Sequence, residues 1–403
     1  MQLQYSPYDF DVHSDPYPYY ERLREQAPVF RNETDDFWAL SRHGDVLAAL
    51  RDSERFSSAN GMRMEPAFWG PQAERFFSFV AMDPPKHTRL RGLVMRAFTQ
   101  HRVQSLEPRL REIARGLLEP LLERGSFDLM SEFAGPFPTE VISELVGVPQ
   151  ADRDMVRKLG MEIMYTEDES TDLRPEAMQA VGALVGYYTE LTIERAQRRG
   201  DDLLSGLLDA ADGDDRLTPE EIVGVLILLV GAGIETTMLT LGNVWHAAWR
   251  HPDQRRLALG SGPADARIED WINEAMRWDP TGQTMLRTTT APTELHGVEI
   301  PAGARILLVT GSANRDPEVF ARPEMFDLDR SITLNGTTAD TLVFGSGRHH
   351  CLGANLGLLE LRIALQEIVS RTADFEVNEA GLRRIHSSNN RGFAALPTTL
   401  VPR

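Results

Sequence analysis

The stretch FGSGRHHC, residues 344–351, holds the only cysteine of a 403-residue chain, behind two glycines, an arginine and two histidines. Three chemistries use a thiol in such a setting. A structural zinc site needs four ligands, and without a second cysteine the usual spaced pairs are missing. A nucleophilic thiolate with a histidine base stays open, because nearby positive charge or a helix N-terminus stabilises a thiolate. The third chemistry is ligation of haem iron: Gly345 and Gly347 would let the backbone turn closely beneath a flat macrocycle and leave amide N–H groups near the sulfur. This last reading accounts for more of the string.

Two further stretches place reactive groups in apolar surroundings. In GAGIETT, residues 231–237, small residues leave room along one helix face, while Glu235 and Thr236 bring an acid and an alcohol into a greasy helix. The Thr236 hydroxyl can bond the carbonyl four residues back, on Ala232, and bend or open the helix there. Tight helix packing with a solvated glutamate is the bland alternative. In INEAMRW, Glu274 and Arg277 stand three apart and share a helix face. Most such pairs are surface bridges worth little.

The elements that must position these groups are mostly helices. GDVLAALRDS, VQSLEPRLREIARGLLEPLLERG and LGLLELRIALQEIVSRT show apolar residues at helical spacing. The clearest helix begins at TPEE: Thr218 can cap it, Pro219 suits its first turn and Glu221 can reach back. It is then apolar on nearly every face through Leu229, which puts it in the middle of the protein. PVFRNETDDFWALS predicts a short hairpin, and ELHGVEIPAGARILLVT (294–310) reads as strand, turn, strand around Gly297 and Gly303. ADGDDR (211–216), LGSGPADA (259–266) and LNGTTAD (334–340) read as surface turns. With no repeat or long linker, residues 1–403 are expected to form one domain, mainly α with small β-sheets.

A formal charge of −18 and a 42% hydrophobic content suit a soluble body with a large core, and argue against nucleic acid and anionic membrane as partners. The near-apolar run Val223–Ile234 is shorter than the roughly 20 residues that cross a bilayer. The N-terminal stretch lacks the basic start and apolar run of an export signal. A lone cysteine fits a reducing, cytoplasmic setting.

FGSGRHHCLG is similar, position for position, to the FxGx-(H/R)-x-C-x-G signature of the cytochrome P-450 superfamily, the haem-thiolate monooxygenases of soluble bacterial type. AGIETT resembles that family's oxygen-activating helix, and Glu274–Arg277 its E-x-x-R pair. DPPKHTRLR (83–91), ANRDP (313–317) and RGFAALP (391–397) resemble bacterial members in the same order. Six motifs in register carry what no single one does.

The resemblance implies a single helical body around a buried haem b (iron protoporphyrin IX) with Cys351 as the iron's thiolate ligand. Phe344 would shield the sulfur side, and Gly353 completes the signature. His87, Arg91, Arg287 and His349 would meet the propionates. Ala232, with Gly233, would give dioxygen room, Thr236 would orient it with a water, and Glu235 would relay protons from solvent. Glu274 and Arg277 would be structural. The implied activity is insertion of one atom of O2 into a lipophilic small molecule, by hydroxylation or epoxidation, in a monomer. The pocket is expected between Met62 and Phe79, at Leu226, Leu229 and Val230, at Thr284 and Met285, and at Asn390 and Phe393, with mostly apolar walls.

No flavin or iron–sulfur motif is present, so electrons are expected from an external ferredoxin and its reductase, docking near Arg96, Arg102 and Arg348. Two departures stand out. Gly357-Leu358 replaces a common Ala-Arg pair, and Met325 stands where membrane-bound relatives carry an arginine, a place Arg330 is suited to fill. The rival readings are a non-catalytic haem-thiolate sensor or carrier, oxygen-independent chemistry on the same fold, and a cysteine-dependent hydrolase.

Overall fold

A computed structural model describes residues 3–164, 174–259, 267–330 and 341–402. The expected turn at 334–340 lies outside these residues, as does 260–266 of the other. The chain opens with α1 (Phe10–Ser14) and α2 (Tyr17–Gln26), then the expected hairpin of β1 (Val29–Asn32) and β2 (Phe37–Leu40), then α3 (His43–Arg51) and β3 (Phe56–Ser57). A helical region follows: α4 (Lys86–Ala97), α5 (Glu107–Arg124), α6 (Pro136–Val146), α7 (Arg153–Met164), α8 (Pro175–Gln197) and α9 (Leu203–Asp209). The stretch expected as one helix from Val103 onward breaks at Leu106, where a six-residue helix ends and α5 restarts with Pro108 in its first turn. A proline suits a first turn because its missing N–H has no partner there anyway.

The central α10 (Pro219–Arg250) begins as its sequence dictates. The Glu221 amide donates to Thr218 Oγ1 at 3.2 Å, and the Thr218 amide to Glu221 Oε2 at 2.9 Å. α10 runs 32 residues without a break, longer than the apolar run suggested and long enough to cross a bilayer, yet most of its apolar stretch is buried inside the protein. It packs against α6, α8 and α11 (Ile268–Trp278).

Behind it β4 (Met285–Thr289) and β5 (Arg305–Leu308) join the N-terminal strands in a five-stranded sheet of order β1-β2-β5-β4-β3. In its register Ile306 pairs with Trp38 in parallel and with Arg287 antiparallel. The expected turns at Gly297 and Gly303 are present at positive φ, with a small extra hairpin, Thr293–Leu295 with Val298–Ile300, between them. The cysteine loop leads into α12 (Ala354–Val369), which packs on α5 and α11, and then into β6 (Thr372–Val377). Trp245 of α10, Trp271 of α11 and Phe375 of β6 stack in the core, the closest rings 3.7 Å apart. Burying each such side chain contributes about 1.5–3 kcal/mol, so these contacts lock the central helix to the layer that carries the cysteine.

Candidate functional site

Two left-handed glycines shape the cysteine loop. Gly345 has φ 67° and Gly347 φ 70°, conformations an L side chain rarely adopts. At Gly347 a Cβ would also stand 2.9 Å from the Leu50 carbonyl oxygen and 3.1 Å from the Arg51 Cα, so the loop rests directly on the end of α3. Gly347→Ala is therefore expected to destabilise the protein by about 1–3 kcal/mol, which a lowered melting temperature would show.

Cys351 follows this turn, its amide donating to the Phe344 carbonyl at 2.9 Å. The residue is exposed, although enough protein surrounds it for burial to push its thiol pKa up; the open surface faces an internal space. Backbone N–H groups of Gly353 and Ala354, at the start of α12, and the charge of Arg91 pull the other way. A thiolate is thus favoured by the backbone and opposed by burial, an environment that an added cation completes. Among the described residues no three His, Cys, Asp or Glu side chains cluster to hold a bare metal ion, so zinc ligation through this loop has no partners.

Around the same loop basic side chains gather, and Asp83 is the acid whose charge reaches them. His87 and His349 lie 4.2 Å apart between ring centroids, and all four ring nitrogens lack a hydrogen-bond partner. Burial, then the charges of Arg91 and Arg348, push His87 down to about 4; burial, then Arg287 and the neighbouring basic groups, push His349 down to about 3. Arg287 is buried and lowered to about 10 by that burial; its guanidinium donates to the carbonyl of Leu286 at 2.7 Å. Asp83, the acid whose charge reaches both Arg287 and His87, is bonded to Ser57 and Ser58. Arg91 donates to the His350 carbonyl. A buried group of this kind lacks anions. The two carboxylates of a haem are such anions, and the sulfur beside them is such a ligand, so the residues present fit the cofactor.

On α10, Ala232 and Thr236 are exposed although the helix runs through the core, so this stripe also lines internal space. Thr236 Oγ1 donates to the Ala232 carbonyl at 2.6 Å, as its spacing predicts, and the helix continues unbroken. Glu235 Oε1 accepts from Asn390 Nδ2 at 3.0 Å. The side chains proposed from sequence as pocket walls scatter. Leu229 is partly accessible, but Leu226 and Val230 are closed into the core, where Val230 abuts Gly160 of α7. With Ala232 and Thr236 facing inward, helical geometry carries the stripe back to Leu229, three residues before Ala232, and not to 226 or 230. Phe393 is fully buried between His246 and Arg384. Thr284 donates to the Ser388 carbonyl, and Met285 reaches the cysteine loop at Gly345. The segment 62–79 does bring Phe68, Phe76 and Phe77 together, and it also carries a buried ion pair, Arg63 with Glu65 at 3.1 Å, that its apolar composition did not announce.

Glu274 and Arg277 form no surface bridge. They are buried and bidentate at 2.7 and 2.8 Å, and Arg277 also donates to the carbonyls of Asn314, Pro323 and Met325. Arg330 completes the group, its Nε 3.2 Å from Glu274, while Met325 contributes its carbonyl to both arginines. Of the cations expected to face a redox partner, Arg348 is exposed, Arg96 is paired with Asp212 at 2.9 Å, and Arg102 is half-buried with its Nη1 unpartnered.

Comparison with known proteins agrees with this geometry. The family description Cytochrome P450 matches residues 268–400. "Putative cytochrome P450 123" of Mycobacterium tuberculosis is 42% identical over 402 residues, covering 100% of this chain and 98% of its own length. "Vitamin D(3) 25-hydroxylase" of Pseudonocardia autotrophica is 37% identical, covering 96% and 94%. The solved structure of cytochrome P450 CYP109Q5 from Chondromyces apiculatus superposes with a TM-score of 0.90 at 28% identity, over 100% of both chains.

Proposed function

The chain belongs to the cytochrome P450 family of monooxygenases, and from that premise we propose that it inserts one oxygen atom from O2 into a lipophilic small molecule, in the cytoplasm, with electrons from an external ferredoxin and its reductase. The observation that carries the reading is the exposed Cys351, met by two backbone N–H groups, beside His87 and His349, whose ring nitrogens have no hydrogen-bond partner, and the buried Arg287. Bound there through Cys351, haem supplies the oxygen-activating chemistry, with a thiolate donating electron density to its iron.

The protein's own residues do the rest. His87, Arg91, Arg287 and His349 receive the propionates and fix the macrocycle's orientation. The amides of Gly353 and Ala354 hold the sulfur as thiolate. Thr236 presents a hydroxyl to the internal space while anchored to Ala232, and Glu235, next to it, passes protons toward that hydroxyl. Leu229 and the aromatic side chains of 68–77 exclude water on the substrate side. Arg348 is the exposed cation nearest the sulfur in sequence and meets the acidic redox partner.

The purified protein, reduced with dithionite and exposed to carbon monoxide, is expected to show the strongly red-shifted Soret band of thiolate-ligated haem. A protein that stays colourless after haem supplementation overturns the proposal. Thr236→Ala is expected to keep that band while product formation falls about 10- to 100-fold. The electrons then leave as hydrogen peroxide, measured against reductant consumed.

A further inference from the structure

We infer that Asn390 is the positioning residue for the Glu235 carboxylate, and that α1 holds Asn390 in place. The inference rests on the reading of Glu235 as the proton relay. Asn390 stands 155 residues away in sequence, in a segment fixed from three sides. His13 of α1 bonds the Asn390 carbonyl through Nε2 at 3.2 Å. Gly282, after α11, forms an isolated bridge with Asn390, and the neighbouring Arg391 amide donates to Thr281 at 2.8 Å. Asn243 of α10 donates to the Arg391 carbonyl at 2.9 Å, while the Arg391 guanidinium bonds Asp279 and the carbonyls of His13 and Ser14.

From this seat the nearly buried Asn390 side chain donates one N–H to Glu235 Oε1. An amide does not ionise, so it orients the carboxylate without exchanging a proton with it, and it leaves Oε2 for the transfer. A carboxylate free to swing would spend less time aimed at Thr236. The positive charge of Arg63, itself paired with Glu65, also reaches Glu235, so the acid is fixed by one neutral donor within a field already balanced by an ion pair.

The test uses holoenzyme with a plant-type ferredoxin, its reductase, and dioxygen as the only acceptor. Electrons then end in water (O2 + 4e− + 4H+ → 2H2O) or in peroxide (O2 + 2e− + 2H+ → H2O2), and proton supply limits the first. Glu235→Gln is expected to slow oxygen consumption and to raise the ratio of rates in H2O and D2O. Asn390→Ala and the isosteric Asn390→Asp are expected to slow it about five- to tenfold, a loss of the size one oriented hydrogen bond gives, with the same isotope direction. The double variant Glu235→Gln/Asn390→Ala is expected to be no slower than Glu235→Gln alone, because Asn390 acts through Glu235. Independently of turnover, the Glu235 carboxylate stretch, assigned by infrared difference against Glu235→Gln, should move in Asn390→Ala.

Asn390 variants that match the wild type in rate, isotope ratio and infrared band, while Glu235→Gln is slow, overturn the positioning role and leave the relay intact. A Glu235→Gln enzyme as fast as wild type overturns the relay itself. Additive losses in the double variant make Asn390 merely structural. The reduced carbon monoxide band confirms loading in each case, and Asn390→Asp decides if the alanine variant fails to load.

Discussion

Cys351→Ala is expected to abolish the red-shifted carbon monoxide band and all product formation, leaving a protein that folds but binds haem weakly or not at all. Cys351 is the chain's one thiol, and its replacement leaves two backbone N–H groups aimed at a methyl group. The neighbouring histidines do not rescue it. His87 and His349 pack with ring centroids 4.2 Å apart and are proposed for the propionates, while His350 has one ring nitrogen buried without a partner and its carbonyl held by Arg91. Absorbance, haem content and the circular dichroism of the variant separate loss of ligand from loss of fold. An alanine variant that keeps the red-shifted band would sink the assignment of the iron ligand.

Arg277→Ala carries the second large effect, on the fold. Removing one partner of a fully buried ion pair costs about 3–5 kcal/mol, against a total stability of about 5–15 kcal/mol for a folded protein. Here the loss is compounded, because the carbonyls of Asn314 and Pro323 lose the Arg277 donor outright and that of Met325 is left with Arg330 alone. Arg330 does not compensate: its Nε touches Glu274, but its other nitrogens are spent on the carbonyls of Ala321, Arg322 and Met325. Arg277→Lys should fare little better, since one ammonium cannot reproduce a planar fork of donors. The expected result is mostly insoluble protein, and a soluble remainder with a denaturant midpoint well below wild type. A variant unfolding at the wild-type midpoint would refute the structural role.

Much of this architecture was legible in the sequence because it is locally encoded. The capping box at Thr218, the hairpin around residue 33 and the Thr236 bond to Ala232 each involve residues at most a turn or a tight loop apart. The cysteine loop was legible for a similar reason, since two glycines that a backbone turn requires sit beside the thiol. What could not be read depends on faces and on distance. Leu226 and Val230 are apolar like Leu229, and only the rotation of α10 against α7 decides which of them reaches the internal space. Phe393 was misplaced likewise, because a buried aromatic in the core and one in a pocket share the same residue type. The Asn390 contact with Glu235 joins segments brought together only by the complete fold, whereas Arg330, named from the sequence as the stand-in for the arginine missing at Met325, does reach Glu274.

A chain with a single thiol, set deep and open only toward internal space, carries its own occupancy gauge. A maleimide or iodoacetamide reagent has one thiol to find, and haem bound as proposed covers it. In a mixed preparation, the extent of alkylation therefore counts empty molecules directly, without an extinction coefficient and without background from other cysteines. Because burial raises the thiol pKa in the empty site, the reaction should quicken as pH rises and the thiolate fraction grows. Mass spectrometry of the intact chain would then resolve two species, one adduct heavier than the other, in proportion to apoprotein and loaded enzyme.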